Sequence, residues 1–232
     1  MALNTPKKIS AVIFDLDDTL VLSTVDYAKF KRLVIERIAS HGEDPSRYSP
    51  TETIVAIVSR YQERMRAAGI DTEVIRRRIA ELDRIMDKVE LEKVEDTKAL
   101  EGAANLLIYL RSRGVKVGIL TRGCEKYADA ALKITGLLGF VDEIECRNSN
   151  LPAKPNPAAY LRLVERLGVP KEETLFVGDH PIDAQCAKNA GVPFLAVETG
   201  DVPKGDLRAA GCVAVFRDVG LMIEWFIKQL GP

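Results

Sequence analysis

Residues 11–20 read AVIFDLDDTL and place three carboxylates, Asp15, Asp17 and Asp18, directly after an apolar run. The run 9–14 (ISAVIF) is rich in β-branched side chains, which is typical of a strand buried on both faces of a parallel sheet. Like charges held this close repel each other, and nothing in the strand compensates them. The stretch therefore predicts a central strand whose carboxyl end needs a neutralising partner.

Short apolar runs recur after residue 100 and alternate with helical patterns. The further predicted strands are 115–120, 174–177, 193–197 and 212–216, and the helices between and after them are 102–113, 157–167, 181–190 and 218–230. Alternating strands and helices predict an α/β fold with a doubly wound, mostly parallel, Rossmann-like sheet.

Residues 24–97 break this alternation, since they are rich in Arg, Glu, Lys and Ile and contain no convincing strand. Three amphipathic helices are predicted there, over 26–40, 51–67 and 71–90. The last of them carries apolar residues that step by four, three, four and three, as one helix face requires. We therefore predict a core domain formed by 1–22 and 98–232 and a helical domain over 23–97, inserted after the first strand.

The composition of the chain limits its partners. The 232 residues include 33 Lys and Arg against 34 Asp and Glu, which gives a net charge of −1 and argues against attraction to nucleic acid or to a membrane surface. We see no stretch near the ~20 apolar residues of a membrane span and no signal-peptide pattern. The four cysteines are widely spaced, as reduced thiols are. These features predict a cytoplasmic protein.

Polar side chains follow three of the predicted strands. Asp15 and Asp17 end the first, Thr121 ends the second, and Asp179 follows TLFV, while Lys154 lies in a loop before a helix. Ligands of open parallel sheets bind beyond the carboxyl ends of the strands, so neighbouring strands would bring these groups together.

Such a cluster suits phosphoryl transfer. Asp15 and Asp179 could hold a divalent cation, and hard carboxylate oxygens select Mg²⁺, which also contacts phosphate oxygens. One carboxylate could attack phosphorus, and Asp17 could supply and remove protons. Lys154 and Thr121 would stabilise charge on the phosphoryl oxygens. The competing interpretation is a helix N-cap, which one aspartate would satisfy and which does not require three.

Four motifs in this order resemble the phosphatases of the haloacid dehalogenase superfamily. The family's DxDx[TV] motif matches residues 15–19, its strand-end Thr or Ser matches Thr121, its Lys matches Lys154 before Pro155, and its GDxxxD motif matches residues 178–183. The resemblance covers roughly 9–22 and 98–232. The inserted helices stand where this family places a helical cap, and phosphoglycolate phosphatase and its relatives share this layout.

The resemblance implies a role for each matching residue. Asp15 would be the nucleophile and a Mg²⁺ ligand, and Asp17 would be the general acid and base and a ligand through its backbone carbonyl. Asp179 would be the second carboxylate on the metal. The implied phosphoryl-binding residues are Thr121, Arg122, Gly123 and Lys154, and the implied supporting residues are Thr19 and Asp183.

Three positions depart from the commonest family pattern. Asp18 stands where many members have Gly, Arg122 stands where Asn is common, and His180 stands where Ser, Thr or Asn often appears. A substrate contact at Arg122 could therefore differ from the family's. His180 is expected to make local hydrogen bonds, and the second histidine, His41, receives no role.

The expected activity is the Mg²⁺-dependent hydrolysis of a small phosphomonoester through an aspartyl-phosphate. Phosphoglycolate, a sugar phosphate, a nucleotide and pyrophosphate all remain open as substrates. A phosphomutase of the β-phosphoglucomutase type shares all four motifs and is the main alternative. A dehalogenase is disfavoured by Asp17, and a non-catalytic binding module is disfavoured by the intact motifs. An exposed face of the cap helices could pair two copies of the chain as a homodimer.

Overall fold

The computed structural model describes residues 5–149, 151–200, 205, 207 and 210–231. Its strands are β1 Ala11–Phe14, β2 Val21–Leu22, β3 Lys98–Ala99, β4 Lys116–Leu120, β5 Glu143–Glu145, β6 Thr174–Gly178, β7 Phe194–Val197 and β8 Ala214–Phe216. Its helices are α1 Tyr27–Ser40, α2 Ile54–Ala67, α3 Thr72–Leu91, α4 Ala103–Ser112, α5 Glu125–Ile134, α6 Ala158–Leu167, α7 Pro181–Ala190 and α8 Met222–Leu230.

Six strands form one parallel sheet in the order β5-β4-β1-β6-β7-β8, which confirms the predicted α/β class. β1 lies between β4 and β6, where Phe14 is in register with Ile119 and with Val177. All four β1 residues are fully buried, as its continuous apolar sequence requires. The sequence that opens the chain therefore becomes the centre of the sheet.

The strand order reverses at β1. The chain runs from β1 to β4 and β5 on one side and then to β6, β7 and β8 on the other. Open α/β sheets bind ligands beside such a switch point, outside the carboxyl ends of the central strands. Here those ends belong to β1, β4 and β6.

Helices α6 and α7 pack on one face of the sheet. Their apolar side chains form a core layer with Ala11, Ile13 and Phe176. Gly118 of β4 permits a close approach of α6, because a Cβ there would lie 3.1 Å from Leu167 and 3.2 Å from Leu163. Helix α4 also contacts β4 and is joined by α8. This packing keeps the strands rigid beneath their carboxyl ends.

The chain divides into two compact units, one of residues up to Ser23 and from Glu95 onward, the other spanning Thr24–Val94. The predicted boundaries are 22/23 and 97/98. The second unit contains α1, α2 and α3, and each helix begins at a side chain that caps it: Asp26, Thr53 and Asp71. Its own apolar core joins the three helices. A role for this unit as a cap stays a prediction.

Four elements of the sheet unit are absent from the sequence-based prediction. Helix α5 was not expected, although its buried residues Tyr127, Ala128, Ala131 and Leu132 lie on one helix face. Strand β5 has three residues, EIE, and was missed because it is too short to show a pattern. The two-residue strands β2 and β3, which pair with each other, are shorter still.

The remaining predictions about the whole chain have simple outcomes. All four cysteines are free. Among the described residues, every helix is too short or too polar to cross a lipid bilayer.

Candidate active site

Three strand ends bring the predicted site residues to one edge of the sheet. Asp15 follows β1, and its N–H donates to the Val177 carbonyl of β6 at 2.8 Å. Thr121 follows β4, and its N–H donates to the Glu145 carbonyl at 3.0 Å. Asp179 follows β6 directly. The convergence predicted for these residues therefore has a backbone cause, namely the parallel register of β4, β1 and β6.

Lys154 joins this edge from the loop before α6. Its Nζ lies 2.6 Å from Asp15 Oδ1 and 2.7 Å from Asp183 Oδ1, and the side chain is 2% exposed. The ammonium also lies 5.6 Å from the centre of the Phe176 ring. Burial by itself would lower the pKa of Lys154, but the Asp15 and Asp183 carboxylates outweigh it and raise that pKa. Lys154 is therefore a fixed positive charge beside Asp15.

One cation does not neutralise the carboxylates that surround it. Burial raises the pKa of Asp15, and Lys154 only partly opposes this effect. Burial and the neighbouring Asp15 and Asp183 charges raise the pKa of Asp179 to about 9. Burial also raises the pKa of Asp17 to about 7, against the hydrogen bond from Tyr127. Negative charge is costly at this edge unless another positive charge arrives.

The same carboxylates have the arrangement of a metal-binding group. One oxygen from each of Asp15, Asp179 and Asp183 lies within 4.8 Å of the others. Hard oxygen donors of this kind suit a divalent cation such as Mg²⁺. A cation would also offset the repulsion from Asp15 and Asp183, which adds to burial in raising the pKa of Asp179. The residues present therefore fit a metal ion by both donor type and charge.

Close backbone contacts hold Asp179 and Asp183 in place. Thr19, which is fully buried, donates from Oγ1 to Asp179 Oδ1 at 3.2 Å. A Cβ at Gly200 would overlap Asp179 Oδ2, and a Cβ at Gly178 would lie 2.6 Å from Asp183 Oδ2. Glycine is thus required at both positions by the approach of a carboxylate. The role of Gly200 was not predicted, because nothing in the sequence marks this residue as a neighbour of Asp179.

His180 and Asp183 form a reciprocal cap at the start of α7. His180 Nδ1 accepts from the Ile182 N–H at 3.1 Å, and Asp183 Oδ2 accepts from the His180 N–H at 3.2 Å. Burial, with the Arg122 guanidinium, lowers the pKa of His180 to about 4, so its ring is neutral near pH 7. His180 thus makes the local hydrogen bonds expected of it.

The first aspartate motif does not cap a helix. Helix α1 starts at Tyr27 and is capped by Asp26. Asp18 instead has φ +53°, a left-handed conformation that Asp tolerates better than most residues and that suits the Gly common there in the resembled family. Its Oδ1 accepts from the Ser23 N–H at 3.1 Å, and its carbonyl accepts from the Thr199 hydroxyl. The motif is therefore a folded loop.

The loop after β4 brings three further groups to the edge. Gly123 donates its N–H to Thr121 Oγ1 at 2.9 Å. The Arg122 carbonyl accepts from Arg147 Nη1 at 2.8 Å. Arg122 Nη1 is itself buried and has no hydrogen-bond partner within the described part of the chain. Its guanidinium lies close enough to lower the pKa of Asp15.

Tyr127 was also missed from the sequence. It lies on α5, is fully buried and donates its hydroxyl to Asp17 Oδ1. Because α5 was not predicted, Tyr127 was not considered as a site residue, and no motif includes it. The other histidine, His41, lies in the helical unit, where it contacts Tyr61 Oη at 2.7 Å and Glu81 Oε2 at 3.0 Å.

Comparison with known proteins places this geometry among hydrolases. The haloacid dehalogenase-like hydrolase family matches residues 12–197. A phosphoglycolate phosphatase of Rhodospirillum rubrum is 30% identical over 220 residues, covering 93% of this chain and 90% of that protein. A candidate pyrophosphatase, PpaX, of Clostridium perfringens is 28% identical over 200 residues, covering 84% of this chain and 86% of that protein.

Solved structures share the fold. A candidate β-phosphoglucomutase of Thermotoga maritima superposes with a TM-score of 0.61 at 24% identity, covering 95% of this chain and 99% of that protein. At this level of identity the likeness concerns the fold.

Proposed function

The chain belongs to the haloacid dehalogenase-like hydrolase family, and we propose that it is a Mg²⁺-dependent phosphatase that forms an aspartyl-phosphate on Asp15. One observation carries the proposal: Lys154 Nζ lies 2.6 Å from Asp15 Oδ1 within a group of buried carboxylates at a strand-order switch. A nucleophile, a fixed cation and a set of metal ligands therefore share one small volume.

Mg²⁺ would be held by the Asp15 and Asp179 carboxylates and the Asp17 backbone carbonyl. When bound, the ion would neutralise the carboxylates and draw charge from the phosphoryl oxygens. Asp183 would keep its contact with Lys154, 2.7 Å away, and so orient the ammonium. Thr19 would hold Asp179 through the hydrogen bond already described.

The first half-reaction transfers the phosphoryl group to the protein. An Asp15 oxygen forms a bond to phosphorus while the bond from phosphorus to the ester oxygen breaks, and that oxygen keeps the electron pair. The leaving oxygen takes the proton of Asp17, which the raised pKa of Asp17, about 7, keeps available near neutral pH. The products are an alcohol and a phosphorylated Asp15.

The second half-reaction releases phosphate. A water oxygen attacks phosphorus, Asp17 accepts the water proton, and the bond between Asp15 and phosphorus breaks. The Asp15 carboxylate and a protonated Asp17 are restored together with inorganic phosphate. Lys154, the Thr121 hydroxyl and the Arg122 N–H would hold the phosphoryl oxygens in both steps, and Gly123 would orient the Thr121 hydroxyl through its N–H.

The substrate we propose is a small phosphorylated metabolite with a second negative group. The two relatives described above are named for phosphoglycolate and pyrophosphate, and both compounds carry such a group. The buried Nη1 of Arg122, which lacks a partner among the described residues, could receive it. Sugar phosphates and nucleotides remain competing substrates.

We place the protein in the cytoplasm, as a homodimer through the helical unit, without nucleic acid or membrane as partners.

A phosphomutase is the second candidate, because a mutase uses the same four motifs and returns the phosphoryl group to a sugar. It is the weaker candidate, since the curated relatives described above are named as phosphatases. It predicts that phosphate release is slow and that an activated sugar phosphate is required.

Phosphate release from a panel of compounds tests the proposal. The panel contains p-nitrophenyl phosphate, phosphoglycolate, a sugar phosphate, a nucleoside monophosphate and pyrophosphate, each with Mg²⁺ and with EDTA. We expect Mg²⁺-dependent release, fastest from a compound with a second anionic group. Release that survives EDTA would contradict the metal role, and no release from any compound would contradict the phosphatase.

A further inference from the structure

The hydroxyl of Tyr127 has one feature that packing does not require. Tyr127 is fully buried on α5, and a phenylalanine ring would fill the same space. Its hydroxyl nevertheless donates to Oδ1 of Asp17, a residue 110 positions away in the chain. Buried tyrosine hydroxyls find a polar partner, and here the partner is the proposed acid and base.

The Tyr127 ring is also fitted to the phosphoryl-binding loop. A Cβ at Gly123 would lie 2.8 Å from Tyr127 Cδ1 and 3.3 Å from Thr121 Oγ1. The Gly123 N–H donates to that same Thr121 oxygen at 2.9 Å. The ring therefore lies between the loop of Thr121 and the side chain of Asp17, and the absence of a side chain at Gly123 leaves room for it.

We propose that Tyr127 is a positioning residue for proton transfer, which holds the Asp17 carboxyl group so that Oδ2 carries the transferred proton. This inference rests on the proposed phosphatase activity. Oδ1 accepts the hydrogen bond of the phenol, so Oδ2 gives its proton to the leaving oxygen as the ester bond breaks. The same oxygen later accepts the proton of the attacking water. In this role Tyr127 acts through Asp17.

Leaving groups of different basicity separate this role from a structural one. An alkyl phosphate needs a proton on its leaving oxygen, whereas p-nitrophenolate leaves without one. Tyr127→Phe should lower kcat/KM for the best alkyl phosphate of the panel by about tenfold or more, since general acids contribute ~10²–10⁴ in rate. The loss for p-nitrophenyl phosphate should stay below about threefold, because that leaving group needs no such help.

Tyr160→Phe is the matched control. Tyr160 is also a fully buried tyrosine of the sheet unit, and its hydroxyl contacts Thr174 Oγ1 at 2.9 Å. Removing that hydroxyl deletes a buried hydrogen bond away from the site. We expect it to leave the ratio of the two kcat/KM values unchanged, even where thermal stability falls.

A double-mutant cycle tests whether Tyr127 acts through Asp17. Asp17→Asn should show the same preference for p-nitrophenyl phosphate, and adding Tyr127→Phe to it should cause no further change in the ratio. If Tyr127→Phe does not fold, Tyr127→Met is measured instead, since methionine fills irregular apolar space and has no hydroxyl. The same shift in ratio is expected.

Three outcomes would overturn the inference: equal losses for both leaving groups, the same shift in Tyr160→Phe, or additive losses in the double mutant. Failure of the phosphatase proposal looks different, because the wild-type protein would then release no phosphate from either compound.

Discussion

Acidic side chains of the helical unit and those at the strand ends of the sheet unit behave in opposite ways. In the helical unit the pKa of Glu43 is lowered chiefly by its hydrogen bond from Arg64, at 2.8 Å, and that of Glu81 by its contact with His41. At the strand ends of the sheet unit burial raises the pKa values of Asp17 and Asp179 instead. The carboxylates of Glu43 and Glu81 already have hydrogen-bonding partners within the fold.

The direction of the pKa shift distinguishes carboxylates that stabilise the fold from carboxylates that bind a ligand. A carboxylate with a lowered pKa stabilises the folded chain in its ionised form, whereas a carboxylate with a raised pKa costs stability until something binds it. Such destabilising carboxylates occur at functional sites, where a bound ligand restores the lost stability. Five predictions on four variants test this contrast, from the largest expected effect to the smallest.

Asp15→Asn should abolish turnover while leaving the fold intact. The amide cannot form the phosphorylated intermediate, so we expect a loss of at least about 10³-fold in phosphate release. Circular dichroism should be unchanged. Asp129→Asn is the control, since it removes an exposed carboxylate paired with Lys133 in the same unit and should keep full activity. Substantial turnover by Asp15→Asn would show that the nucleophile lies elsewhere.

Asp179→Asn should stabilise the metal-free protein. The pKa of Asp179 is raised from 3.8 to about 9, so the folded state binds its proton more tightly than the unfolded state does. In EDTA the wild-type free energy of unfolding should therefore fall as pH rises between those values, and the variant should lack this contribution. Melting curves at pH 5 and pH 8 would measure it.

The same variant should lose its response to Mg²⁺. Added Mg²⁺ should raise the wild-type melting temperature at pH 8, because the ion binds only the folded site, and should scarcely affect Asp179→Asn. A variant less stable than wild type in EDTA at pH 8 would mean that this carboxylate has an adequate partner within the fold, and the contrast would fail.

Arg122→Gln should weaken the binding of substrates that carry a second anionic group. We expect KM for phosphoglycolate to rise by about tenfold, as a lost charged hydrogen bond would cause. KM for p-nitrophenyl phosphate should rise less. Arg111→Gln, which changes an arginine 4.0 Å from Asp142, is the control. Equal increases for both substrates would assign Arg122 to the phosphoryl group alone.

Glu81→Gln should cause the smallest effect, a slight fall in melting temperature at pH 7 and unchanged kinetics. The pKa of Glu81 is lowered from 4.5, so its stabilising contribution is present above that pH and is lost as pH falls through the folded-state value. The difference from wild type should therefore vanish in acid. This pH dependence is opposite to that expected for Asp179→Asn, and matching signs would contradict the distinction between the units.

The sequence was informative wherever a strand is long and buried on both faces. β1, β4 and β6 read as continuous apolar runs, so their polar ends could be located and expected to meet. The parallel direction of these strands was inferable from the alternation of strand and helix. The positions of the predicted metal and phosphoryl-binding residues follow from these two facts.

Other parts of the site depend on tertiary contacts that no local pattern records. Gly200 is required by the approach of Asp179, and Tyr127 reaches Asp17, 110 positions away in the chain, from helix α5. β5 is short and partly exposed, which makes it invisible to alternation rules. Contacts between distant segments, and not propensities, place these residues.

The central position of β1 has a consequence for how the protein folds during its synthesis. Its two neighbours begin at Lys116 and Thr174, so β1 is synthesised long before the strands with which it pairs. Pairing across such separations makes folding slow compared with that of helical bundles. Until β6 emerges, Asp15 cannot meet Asp179, and its carboxylate stays hydrated. The nascent chain should therefore be catalytically silent until the segment of β6 and Asp179 has been synthesised.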